Sequence, residues 1–161
     1  GRDNPQALFG LAAHEDWALV GPWNTDRSYI RNAYVYALSN RIGRWAPRTR
    51  FVEMFVNENG DGLDRADYYG IGVLTERIKI GRDRVRITPM DAADDGPRSI
   101  TGGYIIRLDV VPDPEHFSFT TARGLPTKEN TAVVVYAPNA GKLTPPQRDY
   151  IQGYVQEKIP L

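Results

Sequence analysis

The chain has 161 residues, 41% of them apolar and 25% charged, a composition typical of one globular domain or a piece of a larger one. Its 20 basic residues balance 20 acidic ones, which argues against a nucleic-acid-binding protein. The sequence contains no cysteine, which excludes disulfides and thiolate catalysis, and no apolar run approaches the ~20 residues of a membrane-spanning helix.

The first elements in chain order are a strand and a helix. Residues 16–20 predict a short strand. A helix is predicted over residues 25–42, with Asn24 or Thr25 as its N-cap and Gly43 in the left-handed conformation at its end. Its apolar face follows helical spacing and comprises Ile30, Ala33, Tyr34, Ala37, Leu38 and Ile42.

A series of strands follows the helix. Residues 51–56 and 69–80 are rich in β-branched and aromatic side chains, and a Gly/Asn/Asp loop separates them, so they predict a β-hairpin. Further strands are predicted at residues 84–88, 104–111, 117–121 and 131–136. The apolar runs of 104–111 and 131–136 are nearly unbroken, which predicts buried strands, whereas 117–121 is predicted as an edge strand.

The last element is a helix with a capping box. Thr144 is the predicted N-cap, Pro145 takes the first helical position, and Gln147 stands three residues after the cap. The predicted inner face comprises Tyr150, Ile151, Tyr154, Val155 and Ile159. The whole pattern predicts a single α+β domain: a mostly antiparallel sheet with one early and one late helix.

Two local patterns suggest ligand sites. Four arginines surround Trp45, and of these Arg48 and Arg50 are candidates for phosphate contacts, although a solvated helix end with structural ion pairs to Glu53 or nearby acids is the more common arrangement of such residues. The oxygen-bearing residues Asn57, Asn59 and Asp61 precede Gly62 in the spacing of a calcium loop. The closing glutamate of such a loop is absent, so a turn that uses Asn and Gly for positive φ is the better account.

Several motifs, in a fixed order, carry a family resemblance. They are a helix with an Arg-Asn…Tyr…Leu-Ser…Gly pattern, then Ala46-Pro-Arg-Thr-Arg-Phe-Val-Glu53, Tyr69-Gly-Ile-Gly-Val-Leu-Thr-Glu-Arg-Ile-Lys79, Gly102-Gly-Tyr-Ile-Ile-Arg-Leu-Asp109 and Leu143-Thr-Pro-Pro-Gln-Arg-Asp-Tyr-Ile151. Each motif is weak alone, but their succession is hard to produce by accident. From about Ala7 to Val155 the chain resembles the spore-coat protein H (CotH) kinase-like family.

The resemblance implies a fold like the amino-terminal lobe of an atypical protein kinase. It implies transfer of a phosphoryl group from ATP, with Mg²⁺ or another divalent metal, to Ser/Thr hydroxyls of a protein substrate. The catalytic acids of the family follow the Leu-Thr-Pro helix, so they are expected beyond Leu161, in a carboxy-terminal lobe that would be the intramolecular partner of this one. The isolated chain is therefore expected to be inactive.

The resemblance also assigns roles along the second hairpin strand. It implies that Arg77 and Lys79 contact phosphate and that Glu76 orders the site or its metal. In a strand, side chains alternate, so Arg77 and Lys79 would share one face and Glu76 the other. The family usually has Lys at position 77, and the guanidinium fork of Arg77 differs from an ammonium point charge.

The alternative prediction is a non-catalytic structural or adhesive module of a bacterial surface, spore-coat or polysaccharide-associated protein. A calcium-stabilised binding domain, resting on the Asn57–Asp61 loop, is the third. The resemblance implies a location outside the cytoplasm or at the cell surface. Nucleic acid is not an expected partner, because the chain carries no net charge.

Overall fold

The apolar strands of this chain form two separate sheets. The structure, a computed structural model, describes residues 4–109, 114–120 and 132–158. The chain divides into two compact units, Gly1–Arg86 and Ile87–Leu161. In its described residues each unit has one three-stranded antiparallel sheet and one α-helix, which confirms the α+β prediction. The expectation that the chain is a single domain stays a prediction.

The sheet of the first unit is built around the strand with the most buried residues. Strand β3 (Tyr68–Glu76) lies between β1 (Trp17–Val20) and β2 (Thr49–Phe55), and both neighbours pair with it antiparallel. The β2–β3 pairing confirms the predicted hairpin. A short 3₁₀ helix, Arg65–Asp67, interrupts its connecting loop.

The strand prediction is wrong beyond Glu76. Strand β3 ends there, and residues 84–88 form no strand; an isolated bridge between Ile80 and Val85 is the local pairing instead. The reason is a turn, in which the Arg84 amide donates to the Gly81 carbonyl at 3.2 Å. Arg77 and Lys79 therefore lie after the strand, and strand alternation does not set their directions.

The first helix, α1 (Arg31–Arg41), begins later than predicted. Tyr29 has a φ of 63°, which no helical residue adopts, and Ile30 at the N-cap makes no side-chain cap bond. Asp26, rather than Asn24 or Thr25, supplies the acceptor: its carboxylate receives the Arg31 amide at 2.9 Å. The prediction that Gly43 ends the helix in the left-handed region is confirmed by its φ of 79°.

The apolar face predicted for the first helix is not buried. No residue of α1 is buried, and most of the predicted face is exposed, with Ile42 70% accessible. The side of the helix that meets the sheet carries Asn32, Ala33 and Tyr36, which line a small cavity with Val73 of β3. Of these three residues only Ala33 belongs to the predicted apolar face, so the periodic pattern did not identify the side of α1 that faces the sheet.

The second unit has an unbroken apolar strand at its centre. Strand β6 (Ala132–Ala137) lies between β4 (Ile105–Asp109) and β5 (Phe117–Thr120), so the edge position predicted for β5 is confirmed. Its first four residues are buried as predicted, whereas β4 is only partly buried. Against this sheet packs helix α2, Pro145–Lys158, and the shared core comprises Val133, Val135, Leu143, Ile151 and Val155.

The predicted capping box of α2 is confirmed. The Gln147 amide donates to Thr144 Oγ1 at 3.4 Å, and the Thr144 amide donates to Gln147 Oε1 at 3.1 Å. A second 3₁₀ helix, Ala140–Lys142, precedes it. Within the described ranges no helix is long and apolar enough to cross a membrane. The predicted contact of Ile159, and the ends of the predicted strands at residues 110–111, 121 and 131, lie outside those ranges.

Candidate functional site

The candidate site lies in the first unit, at the end of β3. Glu76 is the last residue of that strand, and it pairs with Trp17 of β1. Its amide donates to the Arg48 carbonyl at 3.2 Å, which places Arg48 just before β2 beside the same carboxylate. The sheet register thus brings together residues that are far apart in the sequence.

Glu76 and Arg48 form a two-point ion pair. Arg48 Nε donates to Glu76 Oε2 at 3.0 Å and Nη2 donates to Oε1 at 2.6 Å, while the Arg48 amide donates to Oε2 at 3.0 Å. The Glu76 side chain is fully buried, whereas that of Arg48 is 41% exposed. The hydrogen bond to Glu76 raises the pKa of Arg48 above its ordinary value, and the charge of Asp83 contributes less.

A second arginine, which the sequence did not point to, binds the same carboxylate from inside. Arg84 Nη1 donates to Glu76 Oε1 at 2.8 Å, and the Arg84 side chain is 1% exposed. Its guanidinium carbon lies 5.5 Å from the centroid of the Trp17 ring, a cation–π distance. The turn at Gly81 brings Arg84 back toward Glu76, and neither motif nor periodicity marks that contact.

Arg77 and Lys79 converge on a different carboxylate, that of Asp16. Lys79 Nζ donates to Asp16 Oδ2, and Arg77 Nη1 lies 4.0 Å from Asp16 Oδ1. The hydrogen bond from Lys79 is the main cause that lowers the pKa of Asp16 below its ordinary 3.8, and partial desolvation opposes it. The two predicted phosphate contacts are therefore close together, but an acid that the sequence did not single out accompanies them.

Arg50 lies apart from both groups. Its Nε donates to the Phe9 carbonyl at 3.0 Å, and its Nη1 donates to the carbonyl of Thr49 at 2.9 Å. The side chain is exposed, so Arg50 fastens an amino-terminal segment to the sheet edge. Two of its donors are thus used by backbone carbonyls, and its phosphate contact stays a prediction.

The predicted calcium loop uses its oxygens for turns. Asn57 Oδ1 accepts from the Gly60 amide at 2.6 Å, and Asn59 Oδ1 accepts from the Asp61 amide at 3.3 Å. Gly60 has a φ of 79°, the positive value that the turn account requires. The arrangement fits that account, and calcium binding by Asn57, Asn59 and Asp61 stays a prediction.

A cluster of three possible metal ligands lies near Lys79, and no motif in the sequence predicts it. His14, Glu15 and Asp16 place ligand-type atoms within 4.8 Å of one another. His14 Nδ1 already accepts the Asp16 amide at 2.9 Å, and Asp16 already binds Lys79. Two cations beside Asp16 would repel a metal ion, so the group is better suited to orienting side chains.

The shared feature of the site is that two carboxylates each hold two cations. Glu76 binds Arg48 and Arg84, and Asp16 binds Lys79 and Arg77. Carboxylates held in this way fix the directions of the cations, and cations fixed in direction bind phosphoryl oxygens with little loss of side-chain entropy. Glu76 accepts four hydrogen bonds, which leaves it suited to ordering the site rather than to binding a metal.

Comparison with known proteins gives a match at the level of the family. The family model described as "CotH kinase protein" matches residues 2–156, nearly the whole chain. No curated protein and no solved structure matches the chain.

Proposed function

The chain belongs to the CotH kinase protein family, and we propose that the protein containing it transfers the γ-phosphoryl group of ATP to Ser/Thr hydroxyls of a protein substrate with a divalent metal. The match over residues 2–156 carries the proposal. The cations of the first unit support it, because phosphoryl transfer depends on positioning and on neutralising phosphate charge. In this proposal the phosphates are bound by Arg48, Arg77 and Lys79, and the site is ordered by Glu76.

The family resemblance implies that nucleotide binding and catalysis depend on residues in different parts of the protein. The metal-binding and general-base acids of the family follow the Leu-Thr-Pro helix, which corresponds to α2 here. Without those acids the reaction loses its main electrostatic assistance. We expect the 161 residues alone to bind nucleotide without catalysing its transfer.

Nucleotide binding is tested by thermal unfolding in the presence of ATP with Mg²⁺. A ligand that binds only the folded state stabilises it by about 2.7 kcal/mol at a concentration of 100 times Kd. We expect protection by ATP with Mg²⁺ and less protection in the Arg48→Met and Lys79→Met variants. The control is Arg65→Met, because Arg65 is exposed on the hairpin loop. Equal protection of all four proteins would contradict the assignment of Arg48 and Lys79.

Phosphoryl transfer is tested with radiolabelled ATP. We expect label on a protein substrate when the full-length protein is supplied and none when residues 1–161 are supplied alone. Turnover by the 161 residues would show that the acids needed for transfer lie within them.

The second candidate function is a non-catalytic structural or adhesive module. It is favoured by Arg at position 77, where the family usually has Lys, and by the binding of both Arg77 and Lys79 to Asp16. In that case ATP gives no thermal protection, and a carbohydrate or protein ligand does. A location outside the cytoplasm belongs to both proposals, and fractionation of the producing cells tests it.

A further inference from the structure

Arg84 is a buried guanidinium of which only part is hydrogen-bonded. Its Nη1 donates to Glu76 and to the Asp83 carbonyl, whereas its buried Nε and Nη2 have no hydrogen-bond acceptor among the residues that the structure describes. Burying an ion is costly, and each unused donor adds to that cost. A residue chosen only to fill this space would be apolar, so the charge of Arg84 requires its own explanation.

The Glu76 carboxylate, which Arg84 binds, is already paired with Arg48 through both of its oxygens. Arg48 approaches Glu76 with two side-chain nitrogens at 3.0 and 2.6 Å, the geometry of a strong charge-assisted pair. One arginine and one glutamate together carry no net charge. Adding Arg84 makes two guanidinium groups for one carboxylate, so the group of three retains one positive charge.

The retained charge is accessible on Arg48. Its side chain is exposed in part, and its Nη1 makes no hydrogen bond to any residue that the structure describes. The ring of Trp17 attracts Arg84 without neutralising it, because an aromatic ring carries no net charge. Asp83 is a further acid near Arg48, but it is exposed, and water screens its charge.

We propose that Arg84 is a positioning residue for the nucleotide site: it compensates the Glu76 carboxylate from the buried side, so that Arg48 stays fixed and positively charged toward a phosphoryl oxygen. Arg84 does not contact the nucleotide. The inference rests on the nucleotide-binding function proposed above and adds the residue that makes Arg48 available.

The test is a cycle of ATP affinities measured by titration calorimetry. Arg84→Met should weaken ATP binding about tenfold or more, the scale of one charge-assisted contact, because Glu76 then cancels the charge of Arg48. Arg84→Lys keeps the charge and should recover most of the loss. The double variant E76Q/R84M should bind ATP more tightly than R84M, since a neutral side-chain amide in place of the carboxylate requires no compensation. A purely structural role for Arg84 does not give that reversal.

The control is Arg82→Met, an exposed neighbour outside the site, which should bind ATP like wild type. If R84M does not fold, E76Q is compared with E76Q/R84M; the two should differ less than about twofold, because Arg84 then has no carboxylate to compensate. Wild-type affinity in R84M, no gain in the double variant over R84M, or a large loss from E76Q to E76Q/R84M would overturn the role of Arg84 while leaving nucleotide binding intact. Absence of ATP binding by wild type would overturn the proposed function itself.

Discussion

Asp16 and Glu76 each bind two cations, yet burial gives them different consequences. The Glu76 side chain is inaccessible, so removing one of its two cations leaves a buried carboxylate that depends on a single partner, and removing both would leave a buried charge unpaired, a change that typically costs about 3–5 kcal/mol. Asp16 is 27% exposed, and water replaces part of any bond that it loses. Glu76 therefore bears on folding as well as on the directions of Arg48 and Arg84, whereas Asp16 mainly directs Lys79 and Arg77.

The pH dependence of Asp16 gives a prediction at this scale. Its pKa is lowered from 3.8 in the folded state, so its contribution to stability is present above about pH 4 and is lost as the pH falls through the lowered value. We expect Asp16→Asn to be less stable than wild type in urea unfolding at pH 7. The difference should shrink between about pH 4 and pH 2; a difference that stays constant over this range would contradict the prediction.

The motifs of the sequence mark Glu76, Arg48, Arg77 and Lys79 as candidate residues. Arg84 and Asp16 join the candidate site only through contacts that the fold creates. Asp16 reaches Lys79 across 63 residues, and Arg84 reaches Glu76 only because residues 81–84 form a turn. Such contacts depend on strand register and turn direction, which residue types alone do not determine.

At the scale of elements, the start of a helix can be predicted when its capping residues lie within one turn of it in the sequence. The start of α2 follows from Thr144, Pro145 and Gln147, which act within one turn. The start of α1 depends on Asp26, five residues before the amide that it caps, and on the positive φ of Tyr29. A cap that lies five residues before the capped amide has no short sequence signature. The sequence therefore predicts that α1 starts at residue 25, six residues before its observed start at Arg31.

Gln147 gives a prediction for the second unit. It is fully buried, and besides capping α2 its Nε2 donates to the carbonyls of Asp91 and Asp94 at 2.6 and 3.1 Å. Gln147→Leu removes these bonds, so we expect a loss of about 2–3 kcal/mol of unfolding free energy in urea titration. Gln156→Leu, on the exposed side of α2, is the control and should change stability by less than about 0.5 kcal/mol. Similar losses in both variants would mean that the loop bonds contribute nothing.

At the scale of the whole molecule, buried apolar surface is distributed unevenly. The second unit has a contiguous core around β6, and Val134 and Val135 are completely inaccessible. In the first unit, α1 contributes no buried residue. Hydrophobic burial is the main stabilising contribution in folding, so the elements of this protein should differ in local stability. The sequence predicted the burial of β6 from its unbroken apolar run, but not the accessibility of α1.

Hydrogen exchange followed by mass spectrometry or NMR measures this difference. We expect the paired amides of β6 to exchange about tenfold or more slowly than those in the middle of α1, because β6 exchanges only when its sheet opens whereas α1 can open locally. Equal protection of the two elements, or stronger protection of α1, would show that accessibility does not rank local stability here.

The two ends of the β2–β3 hairpin should respond differently to insertions and deletions. The pairing of β2 with β3 shifts register between Met54 and Phe55, at the loop end, while Glu76 lies at the opposite end of β3. A slip of one residue along β3 would turn the Glu76 side chain to the other face, away from Arg48. Because the bulge lies beside the loop, insertions and deletions at residues 57–67 can be absorbed there. A change of loop length at residues 57–67 should therefore leave the strand register at Glu76 intact.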